Sequence, residues 1–200
     1  MRKTAPARHM VGGVAMVIGG LATLLTGCSP ALDWRQLSPT EAPGLTVSFP
    51  CKPDVLTRAQ PLATLGPAPV PLTQWQCEAD GIRWTLIRTH ADTPEQRLKL
   101  LQALREGLAR NMSPPEGQAA TLARVGALKQ PATRTPHPDE GVYLLTGALP
   151  AIDAPPRPMQ VVLWQFSKGM DLYQLGAWHP TLRPDDPRLT AFSEGVNFRE

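Results

Sequence analysis

The chain has 200 residues, a length suited to one domain, with 42% apolar and 18% charged residues. That balance excludes a disordered chain and a membrane-embedded helix bundle. Proline, at 23 of 200 residues, stands well above its usual level of about 5%, which disfavours a plain helical bundle and predicts short elements joined by stiff connections.

The first residues carry Arg2, Lys3 and Arg8, followed by an uncharged run from Met10 to Leu25. A basic start and an apolar stretch read as an export leader. The run is short for a permanent span, which needs about 20 apolar residues, and Gly12, Gly13, Gly19 and Gly20 weaken it further. Leu25-Thr26-Gly27-Cys28, followed by Ser29-Pro30, resembles the lipobox of bacterial lipoproteins, in which the leader is removed before a cysteine that then becomes acylated. Only cysteine offers a thiol for the thioether, and small residues at Thr26 and Gly27 suit a peptidase cleft. One acyl chain binds a bilayer marginally, at roughly 0.8 kcal/mol per buried CH₂, and stable anchoring takes at least two signals; three chains on Cys28 would hold the protein essentially permanently. Ser29 after the cysteine resembles the outer-membrane sorting pattern, which predicts an anchor in the outer membrane facing the periplasm, the inner membrane being the alternative.

Removing residues 1–27 takes away three of the 20 basic groups and none of the 17 acidic ones, leaving 17 against 17. The net charge of +3 therefore belongs to the leader. Nucleic-acid binding, which needs a basic footprint, has no support in the remainder. With Cys28 assigned to lipid, Cys51 and Cys77 are left, and in an oxidising compartment such a pair reads as a disulfide. Zinc is the competing reading, but no CxxC spacing or neighbouring histidine favours it.

Residues 28–44, with Pro30, Pro39 and Pro43, are expected to form the lipidated cysteine and a partly extended tether, and residues 45–200 one domain. Leu45-Thr46-Val47-Ser48-Phe49 alternates as a half-buried strand. Pro61, Pro67, Pro69 and Pro71 mark a loop or edge connection. Strands over 72–79 and 82–89 flank Asp80-Gly81, a strong hairpin signal. Thr93-Pro94-Glu95-Gln96 opens a helix with a capping threonine, proline at the first position and glutamine at the third. Leu98, Leu101, Leu104, Leu108 and Met112 form its apolar stripe, and Ser113-Pro114-Pro115 ends it. Strands follow over 121–128, 141–149, 159–167 and 171–178, the last two joined through Lys168-Gly169. A short helix begins near Pro184–Pro187 and ends near Gly195, with Leu189, Phe192 and Val196 on its apolar side. The expected fold class is α+β, an antiparallel sheet with one long and one short helix packed against it.

Val47-Ser48-Phe49-Pro50-Cys51-Lys52-Pro53, the Asp80-Gly81 hairpin, the Asp92-Thr93-Pro94 helix start and the ending Ala191-Phe192-Ser193-Glu194-Gly195-Val196-Asn197-Phe198 together resemble the MOG1/PsbP-like group of small secreted domains. Residues 44–198 are also similar to an uncharacterised lipoprotein type of Gram-negative bacteria. The resemblance implies an α/β/α sandwich. Cys51 stands where many such domains carry glycine, so a disulfide is particular to this chain. The group shares no activity, and the resemblance therefore assigns no catalytic residue.

No GxSxG, HExxH or phosphate-cradling glycine loop occurs outside the leader. His137-Pro138-Asp139-Glu140 sets an imidazole beside two carboxylates, a minimal metal-binding pattern that reads more naturally as a solvated loop. His90 and His179 fall at strand ends. Trp75, Trp84, Trp164 and Trp178 lie on predicted strands as core, with Trp178, ahead of His179-Pro180, the exception that points to a binding site of Trp178 and His179. The expectation is a non-catalytic, lipid-anchored domain without cofactor or metal that binds an envelope protein or supports the envelope. The alternatives are a carrier of an apolar small molecule or lipid between sheet and helices, and a metal-dependent enzyme built on His137, Asp139 and Glu140.

Overall fold

The computed structural model describes residues 32–62, 65–114, 118–129 and 138–199. Cys28, the expected leader before it and His137 lie outside the described residues. The elements run β1 (Arg35–Leu37), β2 (Leu45–Phe49), β3 (Asp54–Pro61), β4 (Pro69–Ala79), β5 (Ile82–His90), α1 (Pro94–Asn111), β6 (Thr121–Gly126), β7 (Gly141–Leu149), β8 (Arg157–Lys168), β9 (Asp171–His179), α2 (Arg188–Glu194) and β10 (Asn197–Phe198). The fold is α+β, as the order of predicted elements implied.

Seven strands form one antiparallel sheet in the order β3-β4-β5-β9-β8-β7-β6, and β2 pairs with β1 and β10 in a separate three-stranded sheet. Local chemistry explains the turns. Asp80 and Gly81 both take positive φ, 52° and 69°, the conformation that lets a two-residue loop follow the twist of its strands. Gly169 does the same for the β8–β9 hairpin, at φ 62°.

Alternation along the central strands builds two cores. Val161, Leu163, Gln165 and Ser167 of β8 face α1, whereas Val162, Trp164 and Phe166 face the opposite layer; all seven are buried. Burial on both faces is what a central strand covered on both sides requires. On one side α1 packs Leu100, Leu101, Ala103 and Leu104 against Leu72 and Leu172, and Met112, just past its end, packs against Tyr143 and Leu163. On the other, the small sheet and α2 bring Phe49 and Phe192 onto Trp84, Trp164 and Leu175.

The start of α1 follows its sequence signature. Gln96 donates its backbone N–H to the Thr93 hydroxyl at 3.1 Å, and its side-chain oxygen accepts from the Asp92 N–H at 2.6 Å, one residue earlier than in the usual reciprocal pair. At the other end the Ala148 N–H donates to the Met112 carbonyl at 2.9 Å. A Cβ on Gly147 would lie 2.5 Å from that carbonyl oxygen, so the helix terminus touches β7 only because the strand has no side chain there.

Several expectations need correction. The tether expected over 28–44 is not one from Leu32 onward: Leu32, Trp34 and Leu37 pack on the core, β1 pairs with β2, and the Asp33 N–H donates to Pro50 O at 2.9 Å. Burying Trp34 edge-on against Trp84, with centroids 5.9 Å apart, gives this stretch an apolar reason to dock. Residues 54–61 form strand β3, outside the predicted elements, whereas the proline-rich segment is the expected connection, with Pro61 ending β3 and Pro69 and Pro71 opening β4. Pro69 and Pro71 are tolerated because β4 pairs with β5 only from Thr73 onward, so both prolines lie where β4 has β3 as its sole neighbour. In α1 the buried face is broader than the predicted stripe: Leu98 and Leu108 are only half-buried, whereas Leu100, Ala103 and Arg105 are buried.

Candidate functional site

A cleft of about 580 Å³ opens between the β7-β8-β9 face of the large sheet and the layer made by α2 and β10. Its floor and walls include Val142, Trp164, Phe166, Leu189, Val196 and Phe198. The position of α2 explains why this space is not filled. A Cβ on Gly195 would fall 2.5 Å from the Ser48 side chain, so the helix end is pressed against β2. Its beginning is tied to the β4–β5 hairpin by Arg188 Nη1, 2.9 Å from Asp80 Oδ2. Drawn to that side, a helix of seven residues cannot also cover β7.

The cleft is aromatic inside and charged at its rim. Phe166 stacks on Tyr173 at 5.4 Å, and Phe198 meets Phe166 edge-on at 6.1 Å. Burial, then the nearby Asp171 carboxylate, pushes the Tyr173 hydroxyl above its ordinary range. Lys129 and Glu194 form an ion pair of 2.7 Å at the rim. Lys168 Nζ sits 4.8 Å from the Phe198 ring centroid and makes no ion pair among the described residues.

Asp186, also on the rim, accepts from Arg188 Nη2 at 2.6 Å, Nε at 2.9 Å and the backbone N–H at 3.0 Å. The Arg188 side chain, foremost among these partners, holds the carboxyl below its ordinary value of 3.8. A carboxyl with a lowered folded-state pKa contributes stability that is complete above the unfolded value and is lost as pH falls through the folded one. Acidification below about pH 4 is therefore expected to loosen the attachment of α2, seen as loss of near-UV circular dichroism from the Trp84–Phe192–Trp164 cluster. Asp186→Asn should remove that step; an unchanged acid transition in the variant would show that the clamp is not responsible.

Trp178 and His179 are brought together with different surroundings. As consecutive strand residues they project from opposite faces. Trp178 is on the α1 side, half-buried, its Nε1–H donating to Thr85 Oγ1 at 3.1 Å. His179 lies over the hairpin turn on the other side and accepts the Thr181 N–H at 3.2 Å. Trp75 and Trp84 are core, and Trp164 reaches the cleft from the core's edge. His90 pairs with Asp171 at 2.9 Å, beside Arg88.

Asp139, in a turn and partly exposed, and Glu140, buried, are each held by the fold rather than left free in a solvated loop. Arg105, whose side chain is 8% exposed, reaches from α1 to Asp139 Oδ1 at 3.1 Å and to Gln165 Oε1 at 2.6 Å. Gln165 in turn donates to Gln174 at 2.6 Å. Glu140 is buried and accepts from the Ser167 N–H at 3.0 Å and from the Ser167 hydroxyl. Arg124 ties the segment down through the carbonyls of Pro138 and Glu140. The two carboxylates thus serve different partners, and among the described residues no three His, Cys, Asp or Glu side chains are grouped as metal ligands. Nothing in the helical spacing marks Arg105 as buried; the nearest signal is a cation flanked by Leu104 and Leu108 on the apolar stripe.

Cys51 and Cys77 form a disulfide with Cα atoms 6.1 Å apart. It joins the segment after β2 to β4, and so links two layers rather than neighbouring strands of one sheet. No helix among the described residues is long and apolar enough to cross a membrane. No family model, curated protein or solved structure matches this chain.

Proposed function

We propose that this chain is a lipoprotein, acylated at Cys28 and held at the periplasmic face of the outer membrane, whose domain binds an apolar or amphipathic small molecule without transforming it. The cleft carries the proposal. Its volume of about 580 Å³ lies in the range of small-molecule sites, which are mainly apolar with a few polar groups that orient the ligand. Trp164, Phe166 and Phe198 supply the apolar wall, and Lys168 suits an anionic head at the rim. Binding is favoured over catalysis because the rim carboxylates of Asp186 and Glu194 are engaged by Arg188 and Lys129. The leader, the lipobox-like Leu25–Cys28 and the disulfide, which fits an oxidising compartment, support the location.

The test is to feed cells producing the full chain a palmitate bearing an alkyne and a diazirine. Two kinds of label are expected: a light-independent one on the peptide that begins at Cys28, and light-dependent adducts within 157–168 or 188–199. Cys28→Ala should abolish the first and release the protein from membranes. Ser193→Trp, which fills the cleft from an α2 position that is only half-buried, should suppress the second. Unchanged membrane partitioning of Cys28→Ala would overturn the anchor, and absence of light-dependent adducts would overturn the ligand.

A further inference from the structure

On the opposite side of the sheet, where α1 leaves β3, β4 and β5 uncovered, lies a second groove of about 170 Å³. Its lining mixes apolar side chains with polar ones, and the polar ones differ in kind from those of the first cleft. Leucines and Ile87 form its floor, and Arg58, Arg83, Asn111 and glutamines including Gln74, Gln76 and Gln174 give it polar groups without a carboxylate. Neither arginine makes an ion pair among the described residues. Glu78 stands opposite Arg83 in the β4–β5 register without forming an ion pair with it.

The aromatic member is Trp178, and its ring is fixed. The indole Nε1–H donates to Thr85 Oγ1, which donates to the Gly176 carbonyl at 3.2 Å. A Cβ on Gly176 would come within 3.0 Å of the indole nitrogen and 2.6 Å of the threonine oxygen. The missing side chain therefore lets the ring lie back along β9, with its polar edge satisfied inside and the rest of the indole half-exposed in the groove. A held aromatic ring, planar amides that both donate and accept, and two unpaired guanidiniums form a set of complementary contacts. The ring meets the C–H face of a sugar, the amides meet its hydroxyls, and the guanidinium forks meet a carboxylate.

We propose that this groove is a binding site for a saccharide ring carrying a carboxylate, separate from the cleft beside α2. The test uses the ¹⁵N-labelled full chain in detergent micelles, with the Trp178 indole resonance identified through Trp178→Phe. Trigalacturonate should shift that resonance saturably, and maltotriose should do so more weakly. Arg58→Ala with Arg83→Ala, both at exposed positions, should weaken trigalacturonate by about tenfold or more while leaving maltotriose unchanged. Gly176→Ala should reduce both by displacing the ring. An indole resonance that moves with neither sugar overturns the proposal. So does equal trigalacturonate affinity in the arginine variant, and so does sodium acetate at matched carboxylate concentration reproducing the full shift.

Discussion

Replacing Cys51 and Cys77 together by serine is expected to lower the stability of the folded chain by about 3.5 kcal/mol, from the loop entropy that the bridge removes from the unfolded state. The figure follows from a sequence separation of 26, and it is large beside a net stability that for such domains is typically about 5–15 kcal/mol. The position of the bridge adds to its importance. Cys51 lies two residues beyond the end of β2, the strand that carries Leu45, Val47 and Phe49 into the core, and Cys77 belongs to β4 of the large sheet. Without the bond, the small sheet is held to the large one mainly by apolar contact and the docking of α2, with Lys168 reaching Phe198 and the Arg199 carbonyl. Denaturant titration of the double variant checks the value; a loss below about 1 kcal/mol would mean that residual unfolded-state structure or native strain offsets the entropy.

Phe192→Ala is expected to cost about 3–5 kcal/mol, the usual range for truncating a fully buried phenylalanine. Its ring is 0% exposed and meets Phe49, Trp84 and Trp164 edge-on, with centroids 5.4, 5.0 and 6.1 Å away. Only Leu189 shares its burial within α2, so the void cannot be closed from the helix itself. The consequence should be local before it is global: α2 detaches, the cleft loses one wall, and the near-UV signal of Trp84 and Trp164 falls ahead of the main unfolding transition. Phe192→Leu, which keeps most of the volume, should cost under about 1.5 kcal/mol. Equal losses in the two variants would show that the aromatic cluster is not what positions the helix.

The parts of this fold legible in the sequence are those in which local chemistry and tertiary structure agree. Asp80-Gly81 can take positive φ, Thr93-Pro94 can start a helix, and Val161 through Ser167 can survive only as a strand buried on both faces. Strand β3 was illegible for the opposite reason. As an edge strand it exposes Val55 and Leu56 at 51% and 48%, so burial imposes no alternation on Asp54–Pro61. Strand β1 has three residues between prolines and is held by Trp34 against Trp84, a contact that no local pattern encodes. The same holds for Arg105, Asp139 and Glu140: a carboxylate-rich loop reads as solvated until a buried guanidinium from 34 residues earlier reaches it. Trp178 was legible as the unusual tryptophan, yet its partners Thr85 and Gly176 come from strands whose pairing no spacing reveals. The cleft beside α2 has no signature at all, since its lining is gathered from strands β6 to β10, α2 and the segments after β6 and before α2.

The strand order has a consequence for how the chain acquires its shape. Within the large sheet every neighbouring pair is consecutive in the chain except β5 and β9, whose residues Thr85 and Gly176 are 91 apart. Two meanders, β3-β4-β5 and β6-β7-β8-β9, can therefore each grow from one tight turn, at Asp80-Gly81 and Gly169-Met170, and the slow event is closing the one long-range seam between them. Both half-cystines lie on the early side of that seam, so the covalent link can form while the second meander is still emerging and unpaired.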